Sequence, residues 1–295
     1  MKPPVVAGIG EVLWDIYPDG DHFGGAPANF ASHAASLGAE SWMVSAVGTD
    51  ALGDHALEML ADHRVISELV ARDAEHPTGQ VLVTLGNAGV PRYEIALETA
   101  WDHLTWSDDL AAFAERCDAV CFGSLAQRSL ESRSTIQRFV QALPGDALRV
   151  FDVNLRQRHY DRETIDASLR LASAVKLNDE ELPVIAALLG MSARAPRDLM
   201  RELMRRYHLR LAALTRGPNG ALLLDERGED ECPAPPTTVV DTVGAGDAFT
   251  AVLVVDLLGG VSLSEINRHA NAVASFVCSH PGATPSIPEG LRTQV

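Results

Sequence analysis

The segment Asp241-Thr242-Val243-Gly244-Ala245-Gly246-Asp247-Ala248-Phe249 carries the most specific chemistry in this 295-residue chain. Gly244 and Gly246 lack a Cβ, so the backbone of the turn can approach an anion closely. The apolar run that follows reads as a buried helix ending at Gly259-Gly260. Its first N–H groups have no partner within the helix and point toward the turn with the positive end of the dipole. Together these make an anion hole suited to a γ-phosphate in transfer. Asp247 falls in the first helical turn, where the dipole favours the ionised carboxyl. A carboxylate there can take the proton of an attacking hydroxyl while the amides stabilise the phosphoryl oxygens. By themselves, an aspartate at a helix start and two glycines in a turn are better read as an ordinary helix initiation.

Such a turn needs a layered frame to hold it. Short apolar runs at Val5–Ile9, Trp42–Val47, Ala119–Phe122, Val150–Val153, Ala174–Leu177, Leu211–Leu214 and Ala221–Leu224 read as buried strands. Helix-like stretches lie between most of them: Ala26–Leu37, Leu52–Asp62, Ser129–Leu143, Arg162–Ala172, Asp179–Leu189 and Arg197–Tyr207, with two more near the C-terminus. The alternation predicts one α/β domain over residues 1–295, with a doubly wound, mostly parallel sheet. One region breaks the rhythm. Thr78–Leu85 and Tyr93–Leu97 are strand-like and joined through Gly86-Asn87-Ala88-Gly89 with no helix between, a hairpin signal. With Glu11–Phe23 it would form a small β-sheet lid drawn from about residues 11–24 and 72–100, closing over a ligand. An edge hairpin fits the same pattern.

The full string from Asp241 to Phe249 resembles the C-terminal signature of the ribokinase-like (PfkB) carbohydrate kinases. Gly24-Gly25-Ala26-Pro27-Ala28-Asn29 resembles that family's N-terminal signature, with a proline placed to start a helix. The resemblance runs in order from Gly8 to Pro288 and implies a ribokinase-like fold and an ATP-dependent sugar kinase. It implies Asp247 as base, with Gly244, Ala245 and Gly246 as the anion hole. It implies Asp15, Gly24, Gly25, Asn29 and Arg156 at the sugar. For the nucleotide it implies Asn178, Thr215, Gly217, Gly220 and Asn271, with Glu181 acting on magnesium through water. In the closing segment Pro281-Gly282-Ala283-Thr284-Pro285-Ser286 it implies a monovalent cation such as K+ near Asp241 and Ser286. Arg216 departs from the small or apolar residue frequent there. Gly-Gly-Ala-Pro-Ala-Asn and Gly-Glu-x-Leu-x-Asp are nearest to fructokinases, implying fructose and fructose 6-phosphate. 2-Keto-3-deoxygluconate, another ketose or a nucleoside stays open; a carboxylated substrate would need a cation beside Arg156, such as Arg92. A homodimer paired through the lid is expected from the same resemblance.

Other classes fit less well. Acidic residues outnumber basic ones 40 to 24, for a net charge of −16, which opposes nucleic acid and anionic membranes. It would also repel ATP, so a nucleotide site must rely on local dipoles and cations. No GxxxxGK[ST] P-loop occurs, no GxGxxG follows the first strand, and Gly123-Ser124 lacks a nucleophile elbow. Ser124 therefore reads as a turn residue near the sugar. Cysteines 117, 121, 232 and 278 form no CxxC pair, which suits reduced thiols and a cytoplasmic home, with no signal peptide or membrane segment expected. His22, His33 and His103 are not spaced as metal ligands on a helix and read as surface or lid residues. A non-catalytic sugar or nucleotide sensor on the same fold is the reading from another class.

Overall fold

The computed structural model describes residues 2–17, 20–85 and 91–292, with the side chains of 84, 85, 91 and 92 excepted. The expected turn at Gly86–Gly89 and the side chain of Arg92 lie outside this range. Nine strands form the large sheet: β1 (Val5–Ile9), β4 (Glu40–Gly48), β5 (Ile66–Asp73), β8 (Ala119–Phe122), β9 (Leu148–Asp152), β10 (Ala174–Asn178), β11 (Leu211–Thr215), β12 (Ala221–Asp225) and β13 (Glu229–Cys232). Their order is β13-β12-β11-β10-β9-β8-β1-β4-β5. All neighbours run parallel except at β11–β12 and β12–β13. A second sheet joins β2 (Leu13–Tyr17), β3 (Gly20–Gly24), β6 (Gly79–Leu85) and β7 (Pro91–Ile95) in the order β3-β2-β6-β7.

Helices cover both faces of the large sheet, which is why its strands read as near-continuous apolar runs. Ile9, Phe122, Phe151 and Val175 point to one core, shared with α3 (Asp108–Ala114), α4 (Leu130–Ala142), α5 (Arg162–Leu171), α6 (Glu181–Leu189) and α7 (Pro196–Tyr207). Their neighbours Val6, Cys121, Val150 and Ala174 point the other way, to α1 (Ala26–Ser36), α8 (Ala245–Leu258) and α9 (Leu263–Cys278). A further cluster packs α2 (Ala51–Asp62) against Met43, Val47 and the small sheet. Helix α8 is buried continuously from Ala248 to Asp256, because α1, α9 and the sheet surround it. That explains its lack of a polar stripe.

Three elements were not among those expected. Strands β5 and β13 are edge strands whose solvent-facing residues interrupt the apolar pattern, and β13, Glu-Asp-Glu-Cys, pairs in the sheet with β12 and is tied down by Asn267 of α9 and by Arg197, Arg201 and Arg216. Helix α3 is only two turns long and is capped by the Ser107 hydroxyl, which accepts from the Leu110 amide. No helix among the described residues is long and apolar enough to cross a membrane.

The topology places the site. Strand β1 lies between β8 and β4, and the chain winds outward from it on one side to β5 and on the other to β13. Where the winding direction reverses, loops at the carboxyl ends diverge and leave a crevice.

Candidate active site

A cleft of about 760 Å³ occupies that crevice, walled on the far side by the small sheet. The N-termini of two helices meet at its floor. Gly25 precedes α1 with φ 108°, and a Cβ there would collide with the Glu11 carbonyl. Gly244 precedes α8 with φ 77°, and a Cβ there would collide with the Ala283 carbonyl. Only glycine fits either position. The convergence lets Asn29 Nδ2 donate to Asp247 Oδ2 at 2.8 Å. Asn29 Oδ1 is shielded and unpartnered among the described residues. The amides of Gly246 and Asp247 have no acceptor among them either, as expected for a helix start left open for an anion.

Asp247 is reached from the cleft, yet protein surrounds its carboxyl. That burial, together with repulsion from Asp152, pushes its pKa up to about 6, against the pull of Lys176, Asn29 and Arg156. Lys176 lies directly below the glycine turn, where a Cβ on Gly246 would come within 2.8 Å of its Nζ. It stands opposite Asp152 in the β9–β10 register and bonds that carboxylate at 3.1 and 3.2 Å. Thr250 Oγ1 donates to Asp152 Oδ2 at 2.8 Å. Burial disfavours the charge on Lys176, but Asp152, Glu181 and Asp247 outweigh it and raise its pKa. A fixed cation therefore sits under the glycine turn, in a chain whose net charge is negative.

These features match a known family along the chain. A family model described as "pfkB family carbohydrate kinase" matches residues 20–290. The chain belongs to that family. A sugar kinase of Pyrococcus horikoshii is 31% identical, covering 98% of this chain and 95% of its own length. A fructokinase of Klebsiella pneumoniae is 32% identical over 84% of this chain and 83% of its own. The solved structure of the P. horikoshii protein in complex with ATP superposes with a TM-score of 0.81 at 29% identity, covering 96% of this chain and 95% of that one. This pfkB kinase is thus a sugar kinase with the ribokinase-like α/β fold.

The kinase brings most of the sequence-predicted residues to the one cleft. Asp15, Gly24, Gly25, Asn29 and Arg156 line it near the small sheet, while Asn178, Thr215, Gly217, Gly220 and Asn271 line it beside β10, β11 and α9. Gly244, Ala245, Gly246 and Asp247 lie between the two groups. Burial raises the Asp15 pKa against the pull of Arg156 and His22. Arg156 is exposed and makes no ion pair within 4 Å among the described residues. Asn271 is buried and donates to Asn267 at 2.8 and 2.9 Å.

Three predicted residues do not line the cleft. Glu181 is buried behind it, accepting from the Leu155 amide at 2.9 Å and the Asn178 amide at 2.8 Å. Burial raises its pKa despite Lys176. Asp241 accepts from the Val243 amide at 3.0 Å and the Gly282 amide at 3.1 Å, tying the glycine turn to the closing segment. Ser286 is exposed. Arg216 turns away to Glu231, at 2.6 Å.

One expectation needs correction. His33 is neither a surface nor a lid residue: it is 1% exposed, bonds the Ala283 carbonyl at 2.9 Å, and burial pushes its pKa down to about 4. Helix α1 is covered by both the sheet and α8, so its polar residues are interior. Ser124 does open a turn, Leu125–Arg128; it is buried, and its hydroxyl reaches the carbonyl of the cleft-lining Asn154 at 3.4 Å.

Sequence reasoning also missed Glu11, Tyr17, Tyr93 and Lys176, all cleft-lining. Glu11 is 2% exposed, its Oε2 has no partner among the described residues, and burial pushes its pKa up to about 7. A lone charged residue inside an apolar strand run was the available signal for Lys176; for Glu11 it was an acid directly after one.

Proposed function

We propose that this pfkB kinase transfers the γ-phosphate of ATP to a hydroxyl of fructose, giving fructose 6-phosphate. The observation that carries the reading is the Asp247 carboxyl, held by Asn29 at the mouth of an α8 N-terminus whose Gly246 and Asp247 amides have no acceptor among the described residues. The sugar lies between Asp15, Asn29 and Arg156, with its reacting hydroxyl toward Asp247. A base with a pKa of about 6 is mostly ionised at neutral pH yet basic enough to receive a proton in the transition state. In the turn Gly244-Ala245-Gly246 the phosphoryl oxygens are taken by the open amides of Gly246 and Asp247, with Lys176 reinforcing them from below. The nucleotide extends along Thr215, Gly217, Gly220 and Asn271.

Magnesium fits the acidic end of β10. Glu181 spends one acceptor site per oxygen on backbone amides, leaving its remaining lone pairs for metal-bound water, with Asn178 and Asp179 nearby. Bound there, the ion would neutralise phosphate charge. Asp241 and Ser286 are proposed for a monovalent cation on the other side of the turn, where potassium in place of sodium would raise the rate. A homodimer paired through the small sheet, where Leu82 and Tyr93 are about half exposed, and a reducing cytoplasmic home for four free cysteines complete the reading.

One observation favours a second substrate. Arg156 faces the cleft without an ionic partner among the described residues, as a carboxylated sugar such as 2-keto-3-deoxygluconate would require. A coupled ADP-release screen over fructose, ribose, 2-keto-3-deoxygluconate, adenosine and inosine tests both. Turnover with fructose well above the others supports the first assignment; turnover confined to the acid supports the second. No turnover with any, alongside intact ATP binding, would leave the sensor reading standing.

A further inference from the structure

Away from the cleft, His76, Glu98 and His103 converge, their candidate ligand atoms all within 4.8 Å of one another. Their positions in the chain are distinctive. His76 lies in the connection from β5 to β6, and Glu98 in the connection leaving β7. His103 ends the short 3-10 turn Ala100–His103, where the chain has returned to the body. The cluster therefore bridges both connections from which the hairpin β6–β7 hangs.

The two imidazoles are prepared alike. His76 Nδ1 bonds Asp73 Oδ2 at 2.8 Å, and His103 Nδ1 bonds Glu131 Oε2 at 3.1 Å. A carboxylate on Nδ1 places the proton there and leaves the Nε2 lone pair free, the outer-shell arrangement of metal-binding histidines. His103 Nε2 is shielded from solvent and has no hydrogen-bond partner among the described residues, while Glu98 Oε2 stands 3.6 Å away. A shielded polar atom without a partner calls for a ligand. The Glu98 side chain is 82% exposed, so it can swing inward without repacking.

We propose that His76, His103 and Glu98 form a site for a borderline transition-metal ion, Zn2+ in particular, with water as the fourth ligand. Two imidazoles and one carboxylate are a donor set suited to zinc and poorly suited to magnesium. The rings now stack with centroids 3.6 Å apart and planes 12° from parallel. With Zn–N bonds of about 2.0–2.1 Å, both in-plane lone pairs reach one ion only if the centroids part to roughly 5 Å. Binding therefore opens the stack, and the ion cross-links the two connections of the hairpin.

Titrating the full chain with Zn2+ by calorimetry, in excess Mg2+, should give one site per chain. Co2+ in its place should show the visible absorption of a four- or five-coordinate ion. His76→Gln and His103→Gln should each abolish both signals, and Glu98→Gln, at an exposed side chain with no folding risk, should weaken binding. Asp73→Asn should weaken it roughly 10- to 100-fold. Zn2+ should raise the melting temperature of the parent but not of the histidine variants. Absence of saturable Zn2+ binding to the parent overturns the proposal. So does Zn2+ binding of undiminished affinity in the Glu98→Gln protein or in a His76→Gln, His103→Gln double variant.

Discussion

The two ends of the cleft are built differently. Around Asp247, charged and polar groups are held before any ligand arrives: Asn29 on Asp247 at 2.8 Å, Lys176 and Thr250 on Asp152, and two backbone amides on Glu181. Toward the small sheet, Arg156 is exposed, Tyr93 is about half exposed, and Gln157 Nε2 reaches across to the Tyr93 carbonyl at 2.7 Å. A preorganised end does not reorganise as charge develops, which is the condition for transition-state stabilisation. An open end gains its contacts when substrate binds, which is the condition for choosing among sugars. On the proposed function, reaction type and substrate choice are carried by separate parts of one cleft.

The sharpest way to break this division is at Asp247. Asp247→Asn keeps the shape and the neighbour Asn29 but removes the proton acceptor, so kcat should fall about 10²- to 10⁴-fold. Dissociation constants for ATP and sugar, measured by calorimetry, should stay close to the parent's. A variant retaining near-parental kcat would mean the organised end does not carry the chemistry.

Lys176 comes next, with an effect on folding as well as rate. Its side chain and that of Asp152 are 8% and 5% exposed, so Lys176→Met leaves a buried carboxylate unpaired and should cost about 3–5 kcal/mol in a denaturation midpoint analysis. Adding Asp152→Asn should restore part of the loss. An unchanged midpoint in the single variant would show the pair to be dispensable bracing.

The pH profile sharpens the comparison further. As the proposed base Asp247 must be ionised, and its pKa stands at about 6, so kcat/KM should drop about tenfold per unit once pH falls below that value. Lys176 favours the ionised form, so any Lys176→Met protein that stays folded should lose activity at higher pH than the parent. An acid limb unmoved by that change would assign the titration to another group, such as Glu11, whose pKa is pushed up to about 7.

Legibility in the sequence follows the same divide. Gly244, Gly246, Asp247 and the apolar helix after them are contiguous, so a local string carries turn, dipole and carboxylate together. The β–α alternation is legible because both sheet faces are covered, making strands apolar runs. Lys176 was not, because its partner is 24 residues away and only the β9–β10 register reveals that they face each other. His33 misled because polarity was taken for exposure, whereas α8, more than 200 residues later, covers its helix. The His76–Glu98–His103 cluster was invisible for a similar reason: its residues lie on separate connections, at no helical spacing.

The smallest expected effect lies at the open end. Tyr93→Ala removes a ring that lines the cleft from β7 while leaving the backbone carbonyl that Gln157 bonds. Losing one such contact is worth about 1 kcal/mol, roughly fivefold in KM for the sugar. If the small sheet contributes binding alone, KM rises while kcat holds, because ground state and transition state lose the same contact. Steady-state kinetics on the preferred sugar separate the cases. A parallel fall in kcat would place Tyr93 in the reacting arrangement, and the two ends of the cleft would then work as one.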